Sequence, residues 1–180
     1  MAAALGDKRR RFFKKKERFM IIWTLVFTAA LVGVDQLLKI WAESTLSQVE
    51  SIPFIPGVLD FHLLYNDGAA FSMLAGKQTF LIAFTAVVLL VLLGYLLSGK
   101  WSDKLEYASL VLILGGGIGN LIDRVRNQMV VDYIRTLFIE FPIFNFADIC
   151  VCTGVGLLAL SLILEEVKER KRKKTGDENN

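Results

Sequence analysis

Four runs of uncharged, mostly apolar residues organise this chain: 19–34, 80–97, 107–122 and 149–164. Each is about 16 to 18 residues long, or roughly 24 to 27 Å as α-helix, slightly short of a hydrocarbon layer of roughly 30 Å. Their polar flanks are therefore expected at or just inside a bilayer boundary. Between the first two runs the period changes from helical to alternating. Leu59, Phe61, Leu63 and Tyr65 fall on one side of an extended segment, 58–65, and Asn66-Asp67-Gly68 follows as a turn signal. Residues 129–134 form a second strand candidate. Pro53, Pro56 and Gly57 break any helix ahead of the first strand. The pattern predicts an all-α membrane bundle of four transmembrane helices carrying a small β-sheet outside the bilayer.

Composition agrees, since 54% hydrophobic content and a mean hydropathy of +0.49 exceed what an ordinary soluble domain of 180 residues carries. Charge then orients the bundle. Eight basic residues precede the first run, two lie in the 99–104 turn and six follow Glu166, so sixteen of the twenty-one Lys and Arg fall on one side of four spans. Both termini are expected in the cytoplasm, with the two long loops, 42–76 and 125–144, facing out and the sheet extracytoplasmic. The domain reading is a basic cytoplasmic segment over 1–18, a four-span domain over 19–165, and a basic, disordered cytoplasmic tail over 166–180. Topology anchoring and attraction to anionic lipid account for the basic tracts without nucleic acid. A rival reading makes the first run a cleaved signal peptide, with Thr28-Ala29-Ala30 offering small residues for cleavage. Apolar sequence continuing to Val34 argues against it. Trp41 and other aromatic residues near the span ends suit interface anchoring.

Several chemistries are excluded. Cys150 and Cys152, the only cysteines, lie two apart in the fourth run and point about 200° apart on a helix, which suits packing rather than a redox pair. One histidine, His62, leaves no HExxH zinc site and little for a histidine triad; a surface or sheet histidine is its expected role. No metal or organic cofactor is expected. What remains is carboxylates and amides at the edges of the spans, where desolvating a polar group is costly. Asp35 and Lys39, four apart, share a helical face and are expected to pair at the first helix end. Gly115 and Gly119 permit close helix approach just before Asn120 and Asp123. Asn145 and Asp148 have the spacing of an N-cap and N3 pair, yet they lie where a cap is costlier than in water. Two neighbouring carboxyl groups cannot both ionise easily, so one can accept a proton from water while the other donates to a carbonyl oxygen. Spacing alone leaves the pair open among Asp67, Asp123, Asp132 and Asp148. Competing chemistries are a serine protease using Ser72 with Lys39 or Lys77, and a proton relay in a transporter or assembly factor.

Four segments carry a resemblance. They are Asp35-Gln36-Leu37-Leu38-Lys39, Asn66-Asp67-Gly68-Ala69-Ala70-Phe71-Ser72, Gly119-Asn120-Leu121-Ile122-Asp123-Arg124 with Val130-Val131-Asp132, and Phe144-Asn145-Phe146-Ala147-Asp148. In order and spacing the chain resembles the lipoprotein signal peptidase family, also called signal peptidase II. The resemblance implies a membrane aspartic endopeptidase that removes the signal peptide of diacylglyceryl-modified prolipoproteins immediately before the lipid-bearing cysteine. It implies Asp132 and Asp148 as the catalytic pair. Asn66, Gly68, Asn120, Asp123, Arg124, Asn145 and Ala147 would bind substrate or support the site, and Asp35 with Lys39 would be structural. Arg124 is expected to pair with Asp123. The implied setting is the bacterial cytoplasmic membrane, with the site near the outer leaflet and prolipoproteins and membrane lipid as partners of a monomer. Gln128, Tyr133 and Arg135 depart from the family pattern at positions flanking Asp132.

Overall fold

Helices dominate because the apolar runs can satisfy their backbone only internally in lipid. The computed structural model describes the backbone of residues 2–68 and 74–177, and side chains within 20–68 and 74–172. Its elements are α1 (Ala2–Leu46), β1 (Ile52–Ile55), β2 (Leu59–Asn66), α2 (Gln78–Ser98), α3 (Lys104–Asn127), β3 (Val130–Thr136) and α4 (Phe146–Asp177). Among the described residues, four helical segments are long and apolar enough to cross a membrane: Met20–Leu46, Gln78–Ser98, Lys104–Asn127 and Phe146–Arg172. The helices outrun the uncharged runs at both ends. α1 continues to Leu46, past the expected loop start at residue 42, and α3 to Asn127. The tail expected without order continues α4 to Asp177; Glu, Lys and Arg are good helix formers, and Glu166 pairs with Arg170 one turn on.

α3 is the central helix, packed against α1, α2 and α4. Leu89 and Leu96 of α2 meet Leu110, Val111 and Leu114 of α3 in one core cluster. Large apolar side chains left outside it, such as Leu90 and Val91 on α2 and Ile163 on α4, form the surface that faces lipid in a membrane-spanning bundle. Glycines set the approach of the helices. A Cβ at Gly116 would collide with the Ala147 carbonyl oxygen, and one at Gly119 would come within 2.5 Å of Asp35 Oδ2. Gly115, expected to pack, does so against Leu31 of α1.

The sheet is antiparallel in the order β1-β2-β3. The strand expected over 129–134 is found as β3, shifted by one residue at its start and extended to Thr136. β1 was not expected; Pro53 lies in it, at the sheet edge where a missing N–H costs little. The expected alternation over 58–65 holds only in part. The register shifts between Phe61 and Leu64, opposite Ile134 and Asp132, so Phe61 and Leu63 pack inward while Tyr65 is exposed. Such an extra residue bends the strand. β3 is covered on both faces along residues 130–133. Val131 and Tyr133 pack with Ala42 and Leu46 at the end of α1, and Trp41 meets Phe61 edge-on at 5.1 Å. The sheet is thus fastened to one end of the bundle, where α1 and α3 end and α4 begins.

Candidate active site

α4 starts beside β3, and its first turn is closed by its own side chains. Asn145 Oδ1 accepts from the Asp148 N–H at 2.9 Å, and Asp148 Oδ2 accepts from the Asn145 N–H at 3.0 Å. This reciprocal cap is the one expected from the spacing. It leaves Asp148 Oδ1 to accept from Asn120 Nδ2 of α3 at 2.8 Å. Asn145 Nδ2 in turn reaches Asp132 Oδ1 of β3 at 2.7 Å, and Asn66 Nδ2 at the end of β2 donates to Asp132 Oδ2 at 2.9 Å. Two carboxyl groups from a strand and a helix are thereby joined through shared asparagines. Asp132 is 2% exposed and Asn145 fully buried. Burial, together with the negative charge of Asp148, pushes the Asp132 carboxyl up to about 7, against the hydrogen bonds from Asn66 and Asn145 and the charge of Lys39. Burial also pushes the Tyr133 phenol above its ordinary range.

A second layer holds the asparagines. Lys39 Nζ lies 2.9 Å from Asp35 Oδ2, 2.8 Å from Asp123 Oδ2 and 2.9 Å from Asn120 Oδ1. The expected Asp35–Lys39 pair is therefore present, but as part of a buried cluster rather than a helix-end contact alone. Asp35 Oδ1 accepts from the Ala147 N–H at 3.1 Å, and Asp123 Oδ2 accepts from the Val131 N–H at 3.2 Å. These two carboxylates fasten the backbones of α4 and β3 to α1 and α3. Ala147 is fully buried against Gly119 and Gly116, which leaves no room for a larger side chain.

Arg124 corrects one expectation. Asp123 bonds Lys39 and Gln36, whereas Arg124 Nη2 donates to the Gly68 carbonyl at 3.0 Å and Nη1 to the Asn120 carbonyl at 3.4 Å. Neighbours in a helix point about 100° apart, so Asp123 and Arg124 face different partners. Gly68 closes a side-chain turn, its N–H donating to Asn66 Oδ1 at 2.9 Å, and so connects Arg124 to the Asn66 that bonds Asp132.

The structure brings together Asp132, Asp148, Asn66, Gly68, Asn120, Asp123, Arg124, Asn145, Ala147, Asp35 and Lys39. Asp67 is exposed, and its carbonyl accepts from Gln78 and from the Gly76 N–H. Ser72 lies outside the described residues. His62 Nδ1 lies 2.7 Å from the Glu50 carbonyl oxygen, a surface contact as expected, and neither cysteine is bonded to the other.

Three contributions escaped the sequence reading. Gln36 bridges Asp35, the Gly119 carbonyl and Asp123, at 3.2, 3.3 and 3.0 Å. Its signal was an amide beside a buried aspartate. The Tyr133 hydroxyl accepts from the Phe146 N–H at 3.3 Å, capping α4. Arg135 pairs with Asp60 through two bonds of 2.9 and 2.5 Å across the β2-β3 register. Asp60 lies in one strand candidate and Arg135 just beyond the other, but the register that joins them was not readable.

Residues 27–164 match the family described as signal peptidase (SPase) II. The chain belongs to the signal peptidase II family. A lipoprotein signal peptidase of Streptococcus pyogenes serotype M6 (strain ATCC BAA-946 / MGAS10394) is 42% identical over 136 residues, 76% of this chain and 90% of the relative. One of Enterococcus faecalis (strain ATCC 700802 / V583) is 41% identical over 160 residues, 88% of this chain and 98% of the relative. Two solved structures described as bacterial membrane enzymes, determined in meso at 2.3 and 1.9 Å, share the fold. The first has a TM-score of 0.73 and 31% identity, covering 79% of this chain and 88% of that one. The second has a TM-score of 0.68 and 32% identity, covering 77% and 91%. The matched span includes both carboxyl groups and every residue of the two layers around them. As a signal peptidase II the chain is a multi-pass bacterial membrane protein and an aspartic peptidase of the lipoprotein-processing type.

Proposed function

We propose that Asp132 and Asp148 are the carboxyl pair with which this signal peptidase hydrolyses prolipoproteins immediately before the diacylglyceryl-bearing cysteine, at the outer face of the cytoplasmic membrane. The observation that carries the reading is the junction of the two carboxyl groups through Asn145 and Asn120, with Asp132 buried and held near neutrality. Such a pair shares one proton at neutral pH. The charged member removes a proton from water as the water oxygen bonds to the scissile carbonyl carbon, and the protonated member donates to the carbonyl oxygen. The tetrahedral species collapses when the first proton passes to the amide nitrogen. The C–N bond breaks as the proton on the former carbonyl oxygen returns to the carboxyl pair, leaving a carboxylic acid on the signal peptide, which ionises to solvent, and a free amino group on the cysteine. Asn66, through its contact with Asp132, and Arg124, through Gly68, place the 66–68 turn over the pair.

The orientation rests on charge: sixteen of twenty-one basic residues flank the helix ends remote from the pair, which puts both termini in the cytoplasm and the sheet outside. Every side chain of the two layers comes from one chain, which supports a monomer as the working unit. We read 1–18 and 166–180 as basic segments flanking the four-span domain, 19–165, that carries the site. In the serine alternative Lys39 would have to accept a proton from Ser72, yet its three donors are committed to Asp35, Asp123 and Asn120.

The test is cleavage of a diacylglyceryl-modified prolipoprotein by the full-length protein in lipid. Asp132→Asn and Asp148→Asn are each expected to lose at least about a thousandfold in kcat, with Ser72→Ala retaining cleavage. Persistent cleavage in either Asp variant, or its loss with Ser72→Ala alone, would overturn the assignment. A proton-coupled transporter would show no cleaved peptide at all.

A further inference from the structure

Each of three asparagines around the carboxyl pair turns its amide oxygen toward a group that can only donate. Asn120 Oδ1 faces the Lys39 ammonium at 2.9 Å and the Asn145 NH2 at 3.1 Å, Asn145 Oδ1 the Asp148 N–H at 2.9 Å, and Asn66 Oδ1 the Gly68 N–H at 2.9 Å. An ammonium or a peptide N–H has no lone pair to offer, so each amide must present its NH2 on the other side. There it meets a carboxylate oxygen: Asp148 Oδ1 for Asn120, Asp132 Oδ1 for Asn145 and Asp132 Oδ2 for Asn66. With the Asn145 N–H on Asp148 Oδ2, all four oxygens of the pair accept a fixed donor. Two of these anchors are backbone groups and one is the Asn145 amide of the site itself. The remaining one, Lys39, is a side chain four residues beyond Asp35 on another helix.

We infer that Lys39 is a positioning residue for the peptidase: by holding the Asn120 oxygen it obliges the Asn120 amide to donate to Asp148, keeping that carboxyl ready to accept a proton from water. The inference rests on the reading of Asp132 and Asp148 as the catalytic pair. Neutralising Asp35 and Asp123 takes two of the ammonium's donors, and both carboxylates also have other partners in Gln36 and in the Ala147 and Val131 N–H groups. The third donor goes to an uncharged amide, and setting its orientation is what that bond accomplishes. Without it, only the longer bond from Asn145 Nδ2 holds the Asn120 oxygen, and an Asn120 that turns this oxygen toward Asp148 no longer donates to its carboxylate. Titratable or charged groups around Asp148 are Asp35 and Lys39 on α1, Asp123 and Arg124 on α3, and Asp132 and Tyr133 on β3.

The test is a double-mutant cycle of Lys39→Met and Asn120→Ala in the full-length protein, read as kcat, KM and the pH profile of kcat/KM on a diacylglyceryl prolipoprotein. Lys39→Met is expected to lower kcat about tenfold or more with KM changed less, and to move the acid limb to higher pH; Lys39→Arg restores part of the rate. In the Asn120→Ala background the same change should cost less than about threefold. A full tenfold loss in that background, or an unmoved acid limb, would overturn the role. If Lys39→Met does not fold, the cycle is run in Asp35→Asn, which removes one carboxylate left unpaired. Asp132→Asn and Asp148→Asn accompany the series. Activity in either refutes the catalytic pair itself, whereas their inactivity with a multiplicative cycle refutes only the positioning role.

Discussion

Burying an ionisable carboxyl where Asp132 sits makes stability fall with rising pH, and Asp132→Asn should abolish that fall. In the unfolded chain the group titrates near its ordinary 3.8, and in the fold near about 7. The folded state therefore binds the proton more tightly. Its contribution to stability is fully present below the unfolded value and is lost as pH rises, with the loss complete above about 7. At pH 5 roughly 2 kcal/mol of this loss is already incurred and at pH 8 roughly 4, a difference of roughly 2 to 3 kcal/mol. Asparagine has no charge to desolvate, so the variant lacks this slope. It does place an NH2 against Asn66 or Asn145, both donors, at a cost of about 1 to 3 kcal/mol at every pH. The variant should thus be within about 1 kcal/mol of wild type at pH 5 and more stable by about 1 to 3 kcal/mol at pH 8. Unfolding can be followed by reaction of buried Cys150 with a thiol dye, in a Cys152→Ser background because Cys152 is exposed. Wild type should lose about 5 °C or more in Tm between the two pH values relative to the variant. Parallel pH dependence in the two proteins would refute the claim that Asp132 is the group held near neutrality.

Gly116→Ala should destabilise by about 2 kcal/mol or more and reduce cleavage, because the new methyl meets the Ala147 backbone carbonyl at the start of the helix that carries Asp148; unchanged Tm would mean α3 and α4 are not held this close. Gln128 ends α3 with φ +58, a left-handed conformation that favours glycine, so Gln128→Gly should raise stability by about 0.5 to 1 kcal/mol despite losing the side-chain bond to the Arg124 carbonyl. A lower Tm in that variant would contradict the strain. Asp60→Asn should cost about 1 kcal/mol and leave cleavage within about twofold, since Asp60 and Arg135 brace the sheet away from the pair. Hydrogen bonds from Arg135 hold the Asp60 carboxyl below its usual range, so this contribution exists above the unfolded value of 3.8 and is lost as pH falls through the lower folded one. A Tm difference between Asp60→Asn and wild type that persists unchanged well below pH 3 would count against it.

The four helices and their approximate positions were legible because a membrane span has a length and polarity that little else imitates. The Asn145–Asp148 cap was legible because it is local: both partners lie within one turn. What connects distant segments was not. Strand β1 is four residues containing a proline, too short for a period to register. The bulge between Phe61 and Leu64 inverted part of the expected alternation, since a one-residue slip moves side chains to the other face. Arg124 went to Gly68 rather than Asp123 for a reason of helix geometry, which adjacency in sequence conceals. Which two of Asp67, Asp123, Asp132 and Asp148 act together could not be read from spacing; only the resemblance named Asp132 and Asp148. In three dimensions Asp123 is committed to Lys39, Gln36 and the Val131 N–H, while Asp67 is exposed.

The two carboxyl groups also differ in what supports their charge, and that difference suits a division of labour. Asp148 sits in the first turn of α4, where the Asn145 N–H and the positive end of a long helix favour a negative charge. Asp132 sits in a strand and its carboxyl oxygens accept from the side-chain amides of Asn66 and Asn145. In the proposed pair we therefore assign the shared proton to Asp132, and to Asp148 the proton taken from water. Fixing Asp148 by a helix end and by the Lys39–Asn120 bond makes that assignment a property of the bundle. The sheet, fastened at the ends of α1 and α3, then delivers the proton-bearing partner to it. Separating the two sources in this way allows Asp132 to be deeply desolvated while Asp148 keeps the backbone N–H at the helix start, which a pair carried on one element would have difficulty arranging.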